Sequence, residues 1–107
     1  MVKQKKSRKL VKLLDEAIKI TKKNGNGILK FLAYTDEKGI LVRYSLTYIN
    51  TNICNEDNGR VLGYDNNHGY HHRHYMGIEE KVNFVSFEDI KNRFETEWRE
   101  IHDKNKK

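Results

Sequence analysis

The sequence predicts an α+β fold: an antiparallel sheet of about four strands packed with an N-terminal and a C-terminal helix. Three observations carry this. Phe87, Ile90, Phe94, Trp98 and Ile101 recur at steps of three and four near the end of the chain, the seam of an amphipathic helix. Leu10, Leu13, Leu14, Ala17, Ile18 and Thr21 show the same spacing near its start. Between them lie runs rich in β-branched and aromatic residues, separated by Asp, Asn and Gly.

In chain order, residues 1–6 are a basic tail with no expected structure. Ser7 caps a helix over 7–23, which Asn24-Gly25-Asn26-Gly27 ends because Gly and Asn accept the backbone of a helix exit. The meander covers 28–85. Ile28–Thr35 and Ile40–Ile49 read as strands around the turn Asp36–Gly39, with Val42, Tyr44, Leu46 and Tyr48 on the core face of the second. Asn58-Gly59 suits a tight reversal, and a short strand over Asn52–Asn55 would precede it. Arg60–Asp65 is the third long strand and Val82–Val85 the fourth. Ser86-Phe87-Glu88-Asp89 is a capping box that starts a helix over 87–102. His102 lies off the apolar cluster, and the sequence assigns it no role. With no repeat and no long linker, residues 1–107 read as a single domain.

The chain has 107 residues, 36% hydrophobic and 34% charged. A domain of this length buries roughly 65% of its unfolded surface, enough for one core. No apolar run approaches the ~18 residues that span a bilayer, and the basic N-terminus lacks the apolar stretch of a secretory signal. A single cysteine, Cys54, excludes an internal disulfide framework and a multi-cysteine zinc site. These features point to a cytoplasmic protein that does not enter membranes. The net charge of +6 is uneven: residues 1–30 carry ten Lys/Arg against two Asp/Glu, the rest eleven against thirteen. That asymmetry suits a nucleic-acid partner, with Arg8, Lys9, Lys12 and Lys19 on the basic segment, although a solvated lysine-rich face would look the same.

The chemistry concentrates in Gly63–Gly77, GYDNNHGYHHRHYMG, which holds four of the five histidines. If Tyr70–Tyr75 is extended, alternation puts His72 and His74 on one face and His71, Arg73 and Tyr75 on the other. Pairing with the preceding strand would bring Asp65 near His72 and His74. Three readings stay open. Two imidazoles can act as base and acid in RNA cleavage through the 2′-hydroxyl, with Asp65 orienting one ring, Arg73 or Arg43 balancing phosphate charge, and Tyr64 or Tyr75 stacking on a base. This reading needs no cofactor. His72, His74 and Asp65 could instead hold Zn or Fe(II). Finally, the segment could be a polar, aromatic-rich loop without chemistry.

The run VLGYDNNHGYHHRHYMG followed by VNFVSFEDIKNRFETEW resembles the TumE family of bacterial toxin–antitoxin toxins. The match falls on Tyr64, Asp65, Asn66, Gly69, His72, Arg73, His74, Gly77, Phe84 and the helix from Phe87, and the strand Val42–Leu46 looks like another family strand. His71 departs from it, standing where an acidic residue is common. The resemblance implies a toxin of a two-gene module, held by a cognate antitoxin that is a small DNA-binding protein. The ribonuclease expectation, with His72, His74, Arg73 and Asp65 as its site, comes from the side chains and not from the family. Alternatives are a non-enzymatic nucleic-acid-binding or regulatory partner of a DNA-binding protein, and a metal protein. A homodimer is compatible with either.

Overall fold

A computed structural model describes residues 9–105; the basic tail, Ser7 and Arg8 lie outside them. The chain folds as a six-stranded antiparallel meander followed by one helix. The strands are β1 (Val11–Ile20), β2 (Gly27–Thr35), β3 (Leu41–Ile49), β4 (Arg60–Asp65), β5 (His72–Tyr75) and β6 (Ile78–Lys81), and the helix is α1 (Phe87–Asn105). Sheet order equals chain order, with every neighbour antiparallel.

Three strands match expectation closely because their cues are local. Alternation buries Tyr44, Leu46 and Tyr48 on one side of β3, and Leu62 and Tyr64 of β4 stand opposite them. Leu29, Phe31 and Ala33 of β2 extend the same layer. Helix α1 lies on this face with its predicted seam inward: Ile90 and Phe94 are fully buried, and Phe94 meets Phe31 edge to face at 5.8 Å. Fully burying side chains of this size stabilises by about 1.5–3 kcal/mol each. Ser86 Oγ accepts from the Asp89 amide at 3.0 Å, one half of the predicted capping box.

The N-terminal helix is not formed. Val11–Ile20 is β1, paired along its length with β2. As a strand the segment pairs the backbone of β2 on both sides and moves the free edge of the sheet out to β1. The helical apolar stripe dissolves in the pleat: Leu13 and Ile18 are 54% and 47% exposed, and only Leu14 and Ile20 pack against the core cluster.

The described residues form six strands rather than four. One extra is β1. The other arises because β5 and β6 form a hairpin across Met76-Gly77, whose φ values of 48° and 86° give the tight two-residue reversal that matches strand twist. The predicted fourth strand at Val82–Val85 is displaced to Ile78–Lys81, and 82–85 run irregularly into the helix with Phe84 stacked on His71. Asn52–Asn55 contains no strand; its chain turns on Asn50, whose carbonyl accepts from the amides of Ile53 and Cys54.

His102 locks the end of α1 to the turn after β1. Its Nε2 donates to the Asn24 carbonyl at 2.8 Å, which leaves Nδ1 to accept from Tyr48 Oη at 2.7 Å. Gly25 is required beside it: its φ is 110°, and a Cβ there would lie 2.6 Å from the imidazole.

Candidate functional site

Among the described residues the helix covers one face of the sheet, and no helix lies on the other, here called the open face. Asp65, the last residue of β4, stands directly opposite His72 of β5, so both side chains point to the open face, and alternation adds His74. Asp65 Oδ1 is 2.8 Å from His72 Nε2, and Oδ2 is 3.3 Å from His74 Nε2. Oδ1 also accepts from the Asn67 amide at 3.1 Å, which anchors the carboxylate to the turn that follows β4. His72 Nδ1 faces the Tyr70 carbonyl at 3.1 Å. A carbonyl only accepts, so Nδ1 carries a proton. The expected convergence of Asp65, His72 and His74 is present, and the segment is a strand as the alternation required.

These groups are sequestered. Asp65 and His72 are 3% and 2% exposed. His74, at 12% side-chain exposure, is the ring that reaches the surface. Burial lowers the His74 pKa, and the nearby Arg60 cation lowers it further, against the pull of Asp65. Tyr70 lies against His72 with ring centres 4.7 Å apart and donates its hydroxyl to Glu79, and that bond holds the Glu79 carboxyl below its usual range. Glu79 in turn comes within 4.0 Å of His72 Nε2.

Arg73 does not join the cluster. Pleating turns it to the helix side, where its Nε binds Glu97 at 3.2 Å and its Nη1 binds Glu80 at 3.1 Å. The cation near Asp65 is Arg60, with Nη1 3.8 Å from Oδ2. Strict alternation from Leu62 and Tyr64 would send Arg60 to the core face. An irregularity between Tyr48 and Ile49 instead pairs Ile49 with Arg60 and Tyr48 with Leu62, leaving Val61 as the extra residue. Arg60 therefore emerges on the open face. Asp57 holds it at 2.7 Å, and it lies across Gly63, where a Cβ would come within 2.9 Å of its stem.

Tyr64 is fully buried on the helix side and donates to Glu97 at 2.7 Å, so it cannot stack on a base. Tyr75 also faces the helix side, beneath the Arg73 guanidinium at 5.1 Å. The expected cations fare differently. Register places Lys12, Lys19 and Arg43 on the open face, together with Lys30 and Tyr34, which the sequence reading missed. Their signal was the alternation of β2 against its buried Phe31 and Ala33. Lys9 is exposed just ahead of β1. His71 bonds Tyr44 Oη at 3.0 Å on the helix side, and burial lowers its pKa.

Asp65, His72 and His74 each direct one ligand atom inward, all within 4.8 Å of one another, the only such group among the described residues. No helix of those residues is long and apolar enough to cross a membrane. A family model described as Toxin TumE matches residues 11–105, from the start of β1 to the end of α1. No curated protein and no solved structure matches the chain. The chain belongs to the TumE toxin family, toxin components of toxin–antitoxin systems, and its partner is a cognate antitoxin.

Proposed function

We propose that this toxin acts on RNA, which lies across the open face of the sheet and is cleaved at the Asp65–His72–His74 cluster. The observation that carries the reading is that the cluster shares its face with Lys12, Lys19, Lys30, Arg43 and Arg60. Cations on a face without a covering helix attract a phosphate backbone, and Tyr34 adds a stacking surface among them. Cleavage through the 2′-hydroxyl moves that proton to a base while its oxygen attacks phosphorus; the bond to the 5′-oxygen breaks, and that oxygen takes a proton. Without a metal, His74 is the ring placed to exchange these protons. Asp65 orients it, the buried His72 is a positioning residue behind Asp65, and Arg60 balances charge on phosphorus.

A second reading, favoured by the close spacing of three ligand atoms, runs the same cleavage around a metal ion. The test is incubation of mixed RNA with the purified chain and with His74→Ala, each with EDTA and with added divalent metal. Cleavage that is lost in His74→Ala supports the proposal, and the EDTA lanes separate the two readings. RNA bound in a salt-dependent way but intact in every lane would replace it with a non-enzymatic binding role, as regulatory partner of a DNA-binding antitoxin.

A further inference from the structure

We infer that Asp65, His72 and His74 hold one divalent first-row transition-metal ion of the zinc class. The inference rests on the same cluster as the proposed RNA cleavage, but not on RNA being the substrate.

His72 donates its Nδ1–H to the Tyr70 carbonyl, so in the neutral ring the Nε2 lone pair points at Asp65 Oδ1 from 2.8 Å. A lone pair and a carboxylate oxygen at that distance repel unless a positive charge lies between them. A proton would serve that pair alone. A single cation between the three side chains would serve the His74 Nε2 contact, at 3.3 Å from Oδ2, as well. Two donors each 2.0–2.1 Å from an ion at a tetrahedral angle stand about 3.3 Å apart; Asp65 Oδ2 and His74 Nε2 stand at 3.3 Å, His72 Nε2 lies 2.8 Å from the other carboxylate oxygen, and one ligand atom from each of the three residues falls within 4.8 Å of the others.

The surroundings agree. An imidazole that ligates through Nε2 typically donates its other nitrogen to a carbonyl or carboxylate, which fixes ring and tautomer; the Tyr70 carbonyl does this for His72. The Asn67 amide plays the matching part for Asp65. Arg60, the cation that could compete for Asp65, is held more closely by Asp57, at 2.7 Å against 3.8 Å. Two imidazoles and one carboxylate favour Zn, Fe or Ni over Mg or Ca, which take oxygen ligands. Three protein donors leave coordination open, as in sites that do chemistry, and Glu79 is the next carboxylate outward.

The test uses the tag-free full chain, stripped with EDTA and dialysed. Co²⁺ is titrated while its visible absorption is recorded, and Zn²⁺ binding is followed by thermal unfolding. The expected result is saturation at one Co²⁺ per chain, displacement by Zn²⁺ but not by excess Mg²⁺, and a raised Tm with Zn²⁺. His74→Ala should weaken binding by more than about 100-fold, beyond the loss that follows from removing an outer partner. Asp65→Asn, which keeps the side chain's size, should weaken it as well, whereas His68→Ala should leave it unchanged. Wild-type protein that folds yet shows neither absorption nor a Tm shift overturns the inference, as does equal affinity in His74→Ala. The RNA assay is scored separately: metal bound with RNA uncut sinks only the RNA reading, and RNA cut without metal bound sinks only this one.

Discussion

The two faces of the sheet handle buried polar groups in opposite ways. On the helix side each buried hydroxyl or imidazole is absorbed into packing: Tyr64 donates to Glu97, and Tyr48 and His102 close a chain that ends on the Asn24 carbonyl. These groups sit among Leu46, Leu62, Ile90 and Phe94 and serve the core. On the open face, Asp65 and His72 are equally buried, but there a carboxylate meets two imidazoles. Burying charge costs free energy that hydrogen bonds only partly recover. One face stabilises the fold, and the other spends stability on a cluster.

Substitutions that affect one face and spare the other would sharpen this contrast. The largest effect on stability is expected at Phe94→Ala, which opens a cavity against Phe31 and should cost about 3–5 kcal/mol in urea unfolding. On the open face, His74→Ala should lower RNA cleavage by about 100-fold or more, while urea unfolding shifts by less than about 1 kcal/mol. If Phe94→Ala and His74→Ala destabilised equally, the distinction between the faces would fail. His102→Ala removes the link from α1 to the Asn24 turn and leaves Tyr48 Oη without its acceptor, at an expected cost of about 1–3 kcal/mol with the intrinsic cleavage rate of the folded fraction unchanged.

Alkaline titration of Tyr44, Tyr48 and Tyr64 addresses the helix side. Burial, then the hydrogen bond to Glu97, pushes the Tyr64 phenol up to about 12, and burial also raises Tyr44 and Tyr48. The fold thus favours the neutral phenols. Their contribution is complete below the unfolded pKa of about 10 and is lost as pH rises through the folded values. Phenolate absorbance from these three should lag behind that of free tyrosine and appear together with loss of the circular-dichroism signal. Smallest of all, Arg43→Ala and Lys30→Ala should each reduce the salt dependence of RNA binding by roughly 0.7 in log–log slope. An unchanged slope would remove the open face as the RNA path.

What could be read from the sequence divides along physical lines. Strands β2 to β4, helix α1 and the shared face of His72 and His74 follow from the alternation and helical spacing of neighbouring residues, and Asp65 follows from where β4 ends. These cues are short-range, so the sequence by itself determined them, together with the family. Three features belong to tertiary structure. Val11–Ile20 has helical spacing but is a strand, its backbone paired along β2 in place of its own helical turns. Alternation already puts Arg73 on the face away from His72 and His74, but its partners there, Glu97 of α1 and Glu80 of β6, come from distant parts of the chain. Arg60 reaches Asp65 only because one extra residue at Val61 shifts the register and reverses its face. In each case the outcome depends on which strand or helix comes to lie alongside, and that is decided only when the elements meet.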